Sequence, residues 1–158
     1  MLTTNEIGRA GEHRVISELL LRGHRPLVAV VDEGADLILS DGLTVQVKAT
    51  AAKIGNNCRY ANGAPRTYYQ FRFHSKIWRN GRAIVQRGLA ADVAICWAIP
   101  EDRFWIVPAS AIGDRNYIAV PVTMSERSSR WHQFESRWDL LRTAEPIDAP
   151  RMAQETEV

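Results

Sequence analysis

The sequence predicts an α/β fold: one domain in which helices flank a mixed β-sheet. Three observations predict it. A capped, amphipathic helical pattern opens the chain, short apolar runs bounded by turn residues follow, and two connections between those runs are too short for anything but antiparallel pairs. A chain of 158 residues suits one domain with a core large enough to fold unaided.

In order along the chain, Thr4 to Arg22 reads as the first helix. Thr3 and Glu6 have capping-box spacing, and Gly23 followed by Pro26 supplies a stop. Val28 to Val31, Ala35 to Leu39 and Leu43 to Ala49 read as strands. The last two are joined by Ser40-Asp41-Gly42, which suits a three-residue hairpin loop with Gly42 left-handed. Ile54 to Ala64, rich in Gly, Asn and Ala, reads as a mobile loop. Thr67 to His74 alternates as a strand, whereas Ser75 to Leu89, basic and broken by Gly81, fits either helix or loop. Asp92 to Ile99 and Phe104 to Pro108 read as a buried hairpin around Pro100-Glu101-Asp102. Ser129 to Arg142 reads as a last helix with Trp131, Phe134, Trp138 and Leu141 on one face, a stripe that favours core packing over base stacking. The domain is expected over residues 1–144, with a disordered tail over 145–158 that carries Pro146, Pro150 and mostly polar residues.

Hydrophobic residues are 46% and charged residues 24% of the chain, ordinary values for a globular protein. No apolar run is long enough to span a bilayer. Cys58 and Cys96 are isolated, without metal-ligand spacing, and the N-terminus reads neither as a signal nor as a transit peptide. A cytoplasmic protein without membrane association is therefore expected. The net charge is only +2, but Gly42 to Ala91 contains no acid and nine bases, leaving eleven bases and eighteen acids elsewhere, a balance of −7. The bases are Lys48, Lys53, Arg59, Arg66, Arg72, Lys76, Arg79, Arg82 and Arg87. Tyr60, Tyr68, Tyr69, Phe71, Phe73 and Trp78 are interleaved with them, as on surfaces that bind nucleic acid. DNA is the expected partner. RNA remains a weaker alternative, and a solvated basic face is the bland one.

Chemistry concentrates near the first hairpin. In Leu43 to Thr50 the alternation sends Thr44, Gln46, Lys48 and Thr50 to one face. The three-residue loop then sets Asp36 opposite Gln46, so a carboxylate, an amide and an ammonium share one surface. An ordinary solvated hairpin face would show the same pattern. Glu12 favours a site, because it lies among Gly8, Val15, Ile16 and Leu19 on the stripe that should pack on the sheet. An inward carboxylate is costly unless it is paired or bound to a cation. A purely structural pair with Lys48 is the competing reading. Asp32 and Glu33 are near enough to assist, although their turn-rich surroundings suit solvent.

These residues, Gly8-x-x-Gly11-Glu12, Gly34-Ala35-Asp36-Leu37 and Gln46-Val47-Lys48, resemble the PD-(D/E)XK nuclease superfamily. The glycine-flanked glutamate is similar to that of archaeal Holliday-junction resolvases. The Gln-x-Lys form resembles the homing endonucleases of group I introns, as do Asp92 to Ser110 and Arg137-Trp138-Asp139-Leu140-Leu141. The resemblance spans nearly residues 4 to 142. It implies a restriction-endonuclease-like fold and a Mg²⁺-dependent endonuclease, with Mn²⁺ as a substitute cation. Glu12, Asp36, Gln46 and the Val47 carbonyl would be metal ligands, and Lys48 would serve the attacking water. Lys53, Arg59, Arg66, Arg72, Lys76, Arg79, Arg82 and Arg87 would contact DNA, and a homo-oligomer, dimer or tetramer, is implied. Gln46 departs from the acid usual at its position. That leaves two carboxylates and keeps open a catalytically inactive DNA-binding module.

Overall fold

The computed structural model describes residues 1–30, 34–59, 62–63, 65–73, 75–86, 88–123 and 129–141, without the side chains of 56–59, 75–79 and 85–86. The first helix, α1, spans Thr4–Leu21. Its capping box is complete: Glu6 N–H donates to Thr3 Oγ1 at 3.3 Å, and Thr3 N–H donates to the Glu6 carboxylate at 2.7 Å. Such a cap stabilises a helix by about 1 kcal/mol. At the other end Gly23 (φ 84°) turns the chain, with His24 N–H donating to Leu19 O and Gly23 N–H to Leu20 O. That pair of bonds is a Schellman motif.

Five strands form the main sheet: β1 (Leu27–Val28), β2 (Leu37–Ile38), β3 (Thr44–Thr50), then, after an insert, β8 (Val93–Ala98) and β9 (Arg103–Pro108). The insert carries β4 (Ile54–Arg59), β5 (Pro65–Arg72), β6 (Ser75–Arg79) and β7 (Arg82–Gln86). A short helix α2 (Ala109–Ile112) and strand β10 (Tyr117–Pro121) follow β9. The main sheet has the order β1-β2-β3-β8-β9. Only β3 and β8 run parallel in it, so it is mixed, as the tight hairpins require. A three-stranded sheet, β10-β5-β4, forms separately, and β6 and β7 make a two-stranded ribbon.

Burial follows from β8, which is apolar throughout and loses both faces to the interior, as expected of a strand with a parallel neighbour. On one face Ile95 packs with Val45, Val47, Ile106 and the α1 residues Val15 and Leu19. On the other, Cys96 and Trp105 pack with Tyr69, Phe71 and Ile118 of the smaller sheet. The molecule is therefore α1, main sheet and second sheet in three layers. Gly11 makes the first junction possible, since a Cβ there would stand 2.7 Å from Ala49 Cβ.

Several expectations are corrected. Ile54 to Arg59 is not a loop but strand β4, because β5 supplies the ladder that its weak β-formers need. Within 75–89 the structure is a β-hairpin, not a helix or a loop. Asn80 (φ 50°) and Gly81 (φ 72°) make its two-residue turn, with Arg79 opposite Arg82. Tyr117–Pro121 is a strand that local pattern did not announce. Residues 129–141 do not form a helix. They make two 3₁₀ turns, His132–Phe134 and Trp138–Leu140, separated by an extended step. There Glu135 bridges Trp105, and Ser136 N–H donates to Phe104 O at 2.9 Å. Trp131 belongs to one core cluster, and Trp138 and Leu141 to the other. One helix face cannot serve both sides of a sheet, and the extended crossing can. It also covers the outer edge of β9, where the Glu135 carboxylate accepts from Arg103 at 2.7 and 3.0 Å. The tail expected over 145–158 lies outside the described residues.

Candidate active site

The first hairpin has the anticipated turn. Gly42 is left-handed at φ 84°, its N–H donates to Leu39 O, and Leu39 N–H donates to Leu43 O. The ladder pairs Leu37 with Val45 and Ile38 with Thr44. At Asp36 it slips: the Asp36 N–H also reaches Val45 O, at 2.9 Å, so two residues stand against one, as in a bulge. The Asp36 carboxylate then takes the next rung, accepting from the Val47 N–H at 2.6 Å. The side chain thus lies at the margin of the sheet, where β2 ends and β3 continues, between the two faces.

The other site residues stand on opposite faces of the main sheet. Val45 and Val47 face α1, so Gln46 and Lys48 project away from it, alongside their register partners Ala94 and Cys96. Glu12 lies on α1, next to Gly11 and its contact with Ala49 and Val47. The face shared by Asp36, Gln46 and Lys48 on pattern is therefore only partly formed, and the bulge at Asp36 is what sets the carboxylate at the edge. Glu12 still senses Asp36. Its pKa is raised first by burial and next by the negative charge of Asp36, with His13 and Arg9 opposing.

Among the described residues, neither Gln46 Oε1 nor the Lys48 ammonium has a partner. The Gln46 Oε1 atom is buried with no hydrogen-bond partner among the described residues, a condition that costs about 1–3 kcal/mol. Lys48 is half-buried and makes no ion pair among the described residues, so a structural Glu12–Lys48 pair is absent. Its charge is felt by the Cys96 thiol, whose pKa burial drives well up while Lys48 pulls it down. The donor types suit a hard cation: two carboxylates, an amide oxygen and a backbone carbonyl. The Asp36 carboxylate bonds the Val47 N–H and its charge reaches Glu12, while Gln46 lies on the face away from α1. Among the described residues no three His, Cys, Asp or Glu side chains form a metal cluster, so a cation would depend on the neutral oxygens as well.

The basic stretch is only partly visible. Lys53 is paired with Glu101 at 2.5 Å, a contact that an incoming phosphate would have to displace. Arg66, Arg72 and Arg82 are exposed, and Arg72 donates to Gln70 Oε1. The side chains of Arg59, Lys76 and Arg79, and the whole of Arg87, Asp32 and Glu33, lie outside the described residues. The expected stacking aromatics are corrected in part: Tyr69, Phe71 and Phe73 are at most 3% exposed and form the second core. Tyr68 is half-buried, and the side chains of Tyr60 and Trp78 lie outside the described residues. The ribbon that carries the bases had a readable signal in Asn80-Gly81, whereas the Asp36 bond to a backbone N–H had none.

No protein-family model matches the chain, and neither does any curated protein. Among solved structures it is similar to the bacterial homing endonuclease I-Ssp6803I, at 20% identity and a TM-score of 0.61, over 88% of this chain and 93% of that one. The two share a fold, a single mixed α/β domain. No helix among the described residues is long and apolar enough to cross a membrane.

Proposed function

We propose that the chain is a Mg²⁺-dependent DNA endonuclease that hydrolyses phosphodiester bonds as a symmetric homo-oligomer in the cytoplasm. The observation that carries this reading is the buried Gln46 Oε1, which has no hydrogen-bond partner among the described residues, on the strand whose Val47 N–H donates to the Asp36 carboxylate. Lys48, two residues on, makes no ion pair among the described residues. A fold needs neither a stranded acceptor nor a half-buried free ammonium for stability. The likeness in fold to a homing endonuclease supports the same reading. Asp36, Glu12, Gln46 Oε1 and the Val47 carbonyl would hold the cation, with Mn²⁺ as a substitute. When bound, it supplies Lewis acidity at the phosphate and favours loss of a proton from a nearby water. Lys48 orients that water and offsets charge as it grows on the non-bridging oxygens.

DNA is held by Lys53, Arg59, Arg66, Arg72, Lys76, Arg79, Arg82 and Arg87. Among the described residues the β6–β7 ribbon pairs with neither sheet, and a major groove admits a two-stranded ribbon. The second reading is a DNA-binding module without catalysis, favoured by Gln46 where an acid is usual.

The test offers plasmid, linear duplex and a four-way junction to wild type and Asp36→Ala, with Mg²⁺, Mn²⁺ or chelator. Cutting by wild type alone, lost in chelator, with duplex binding retained by Asp36→Ala, is the expected outcome. A loss of about a thousandfold in rate would correspond to about 4 kcal/mol of transition-state stabilisation. Equal background from both proteins on every substrate rejects catalysis, and retained binding then favours the module.

A further inference from the structure

The basic surface does not end with the acid-free stretch. At the root of the β6–β7 ribbon, β10 pairs with β5 so that Tyr117 stands opposite Arg72, and Phe73 N–H donates to Asn116 O at 2.8 Å. Arg115, Asn116 and Tyr117 line a cleft of about 400 Å³ together with Arg130 and Trp131. Trp131 is 6% exposed and Tyr117 51% exposed, so one aromatic floors the cleft and the other is open at its rim. Two guanidinium groups lie over the same indole, Arg130 at 4.8 Å and Arg115 at 5.9 Å from the ring centroid. Arg115 Nη1 also donates to Ile112 O at 3.0 Å, which fixes that side chain and leaves other N–H groups available.

Neither arginine makes an ion pair among the described residues, and the adjoining Asp114 makes none with them. Two like charges held over one ring repel unless solvent or an anion intervenes. A guanidinium fork matches a phosphate in shape as well as in charge. We infer that this cleft binds a phosphate of the DNA backbone beside the groove that the β6–β7 ribbon enters. The exposed Tyr117 ring packs on the adjoining sugar or base. The identity of the polyanion rests on the proposed DNA function, while the site does not depend on cutting.

The experiment measures duplex binding in chelator over a range of salt, using wild type, Arg115→Gln/Arg130→Gln and Arg115→Lys/Arg130→Lys, with thermal unfolding of each. The glutamine pair should bind about tenfold more weakly, with a slope of log affinity against log salt shallower by about one to two. The lysine pair should retain most of the slope, because it keeps both charges. If wild type binds and the glutamine pair keeps its slope, the arginines serve only to pack on Trp131, and the inference falls while the nuclease reading stands. A glutamine pair that merely unfolds earlier but binds with the wild-type slope overturns it equally. If wild type shows no salt-dependent duplex binding, both the inference and the DNA reading fall.

Discussion

At the scale of single residues, the candidate site is defined by groups that the protein leaves incompletely satisfied. Glu12 is the clearest case, since burial and the charge of Asp36 both favour its protonated form. A carboxyl whose folded pKa is raised above 4.5 contributes stability that is fully present below the unfolded value and is lost as pH rises through the folded one. Glu12→Gln should therefore raise the Tm in chelator at neutral pH, and the advantage should vanish below about pH 4, near the ordinary glutamate pKa. Mg²⁺ should then raise the Tm of wild type and leave that of Glu12→Gln nearly unchanged, if the proposed ligand set holds. A thermal-shift series with pH and cation as variables checks both signs, and a lower Tm for Glu12→Gln in chelator would mean that the carboxylate already has a cationic partner. Glu12 was legible in the sequence as an acid on an apolar stripe. The stranded Gln46 oxygen was not, because whether a buried amide finds a partner depends on atoms remote in the chain.

At the scale of elements, the junction of α1 with β3 and the β6–β7 turn each depend on a glycine. Gly11→Ala would force a Cβ to within 2.7 Å of Ala49 Cβ. Overpacking of this kind costs about 1–3 kcal/mol, partly offset by about 1 kcal/mol of helix propensity. Denaturant unfolding should show net destabilisation, and Ala49→Gly in the same chain should restore most of it by removing the opposing atom. At the ribbon's turn Gly81 has φ 72°, a conformation that costs an alanine about 1–2 kcal/mol. An isolated two-stranded ribbon is marginal by itself, so Gly81→Ala should speed amide exchange across β6 and β7 while that of β8 and β9 stays the same. Duplex affinity should fall with it if the ribbon enters the groove. The cap of α1 and the Gly42 turn were read from the sequence, since each is set by neighbours a few residues apart, and the Asn80-Gly81 turn was missed although its signal was equally local. β4 and β10 were not legible, because their pairing strand β5 provides what their own residues lack.

At the scale of the whole molecule, charge is segregated along the chain: nine bases without an acid between Gly42 and Ala91, and a balance of −7 elsewhere. If about half of those bases meet phosphates, duplex affinity should fall with a log–log salt slope of about −4. Fluorescence anisotropy across salt concentrations measures it, and a flat response would remove the basic stretch from the DNA surface. The three-layer arrangement places that stretch in an insert between β3 and β8, so the strands that hold the site are also the ends from which the basic elements depart. By itself the sequence determined the α/β class, the mixed sheet, the first helix with its caps and the hairpins at Gly42 and at Pro100 to Asp102, and it singled out the residues proposed to carry the chemistry. All of these follow from side-chain period, backbone preference or charge within short windows. Only the tertiary structure decided that Tyr69, Phe71 and Phe73 are core, that residues 131–141 cross from one face of the sheet to the other, and that Gln46 faces away from the helix that carries Glu12. Those outcomes depend on burial against distant elements, which local pattern does not encode.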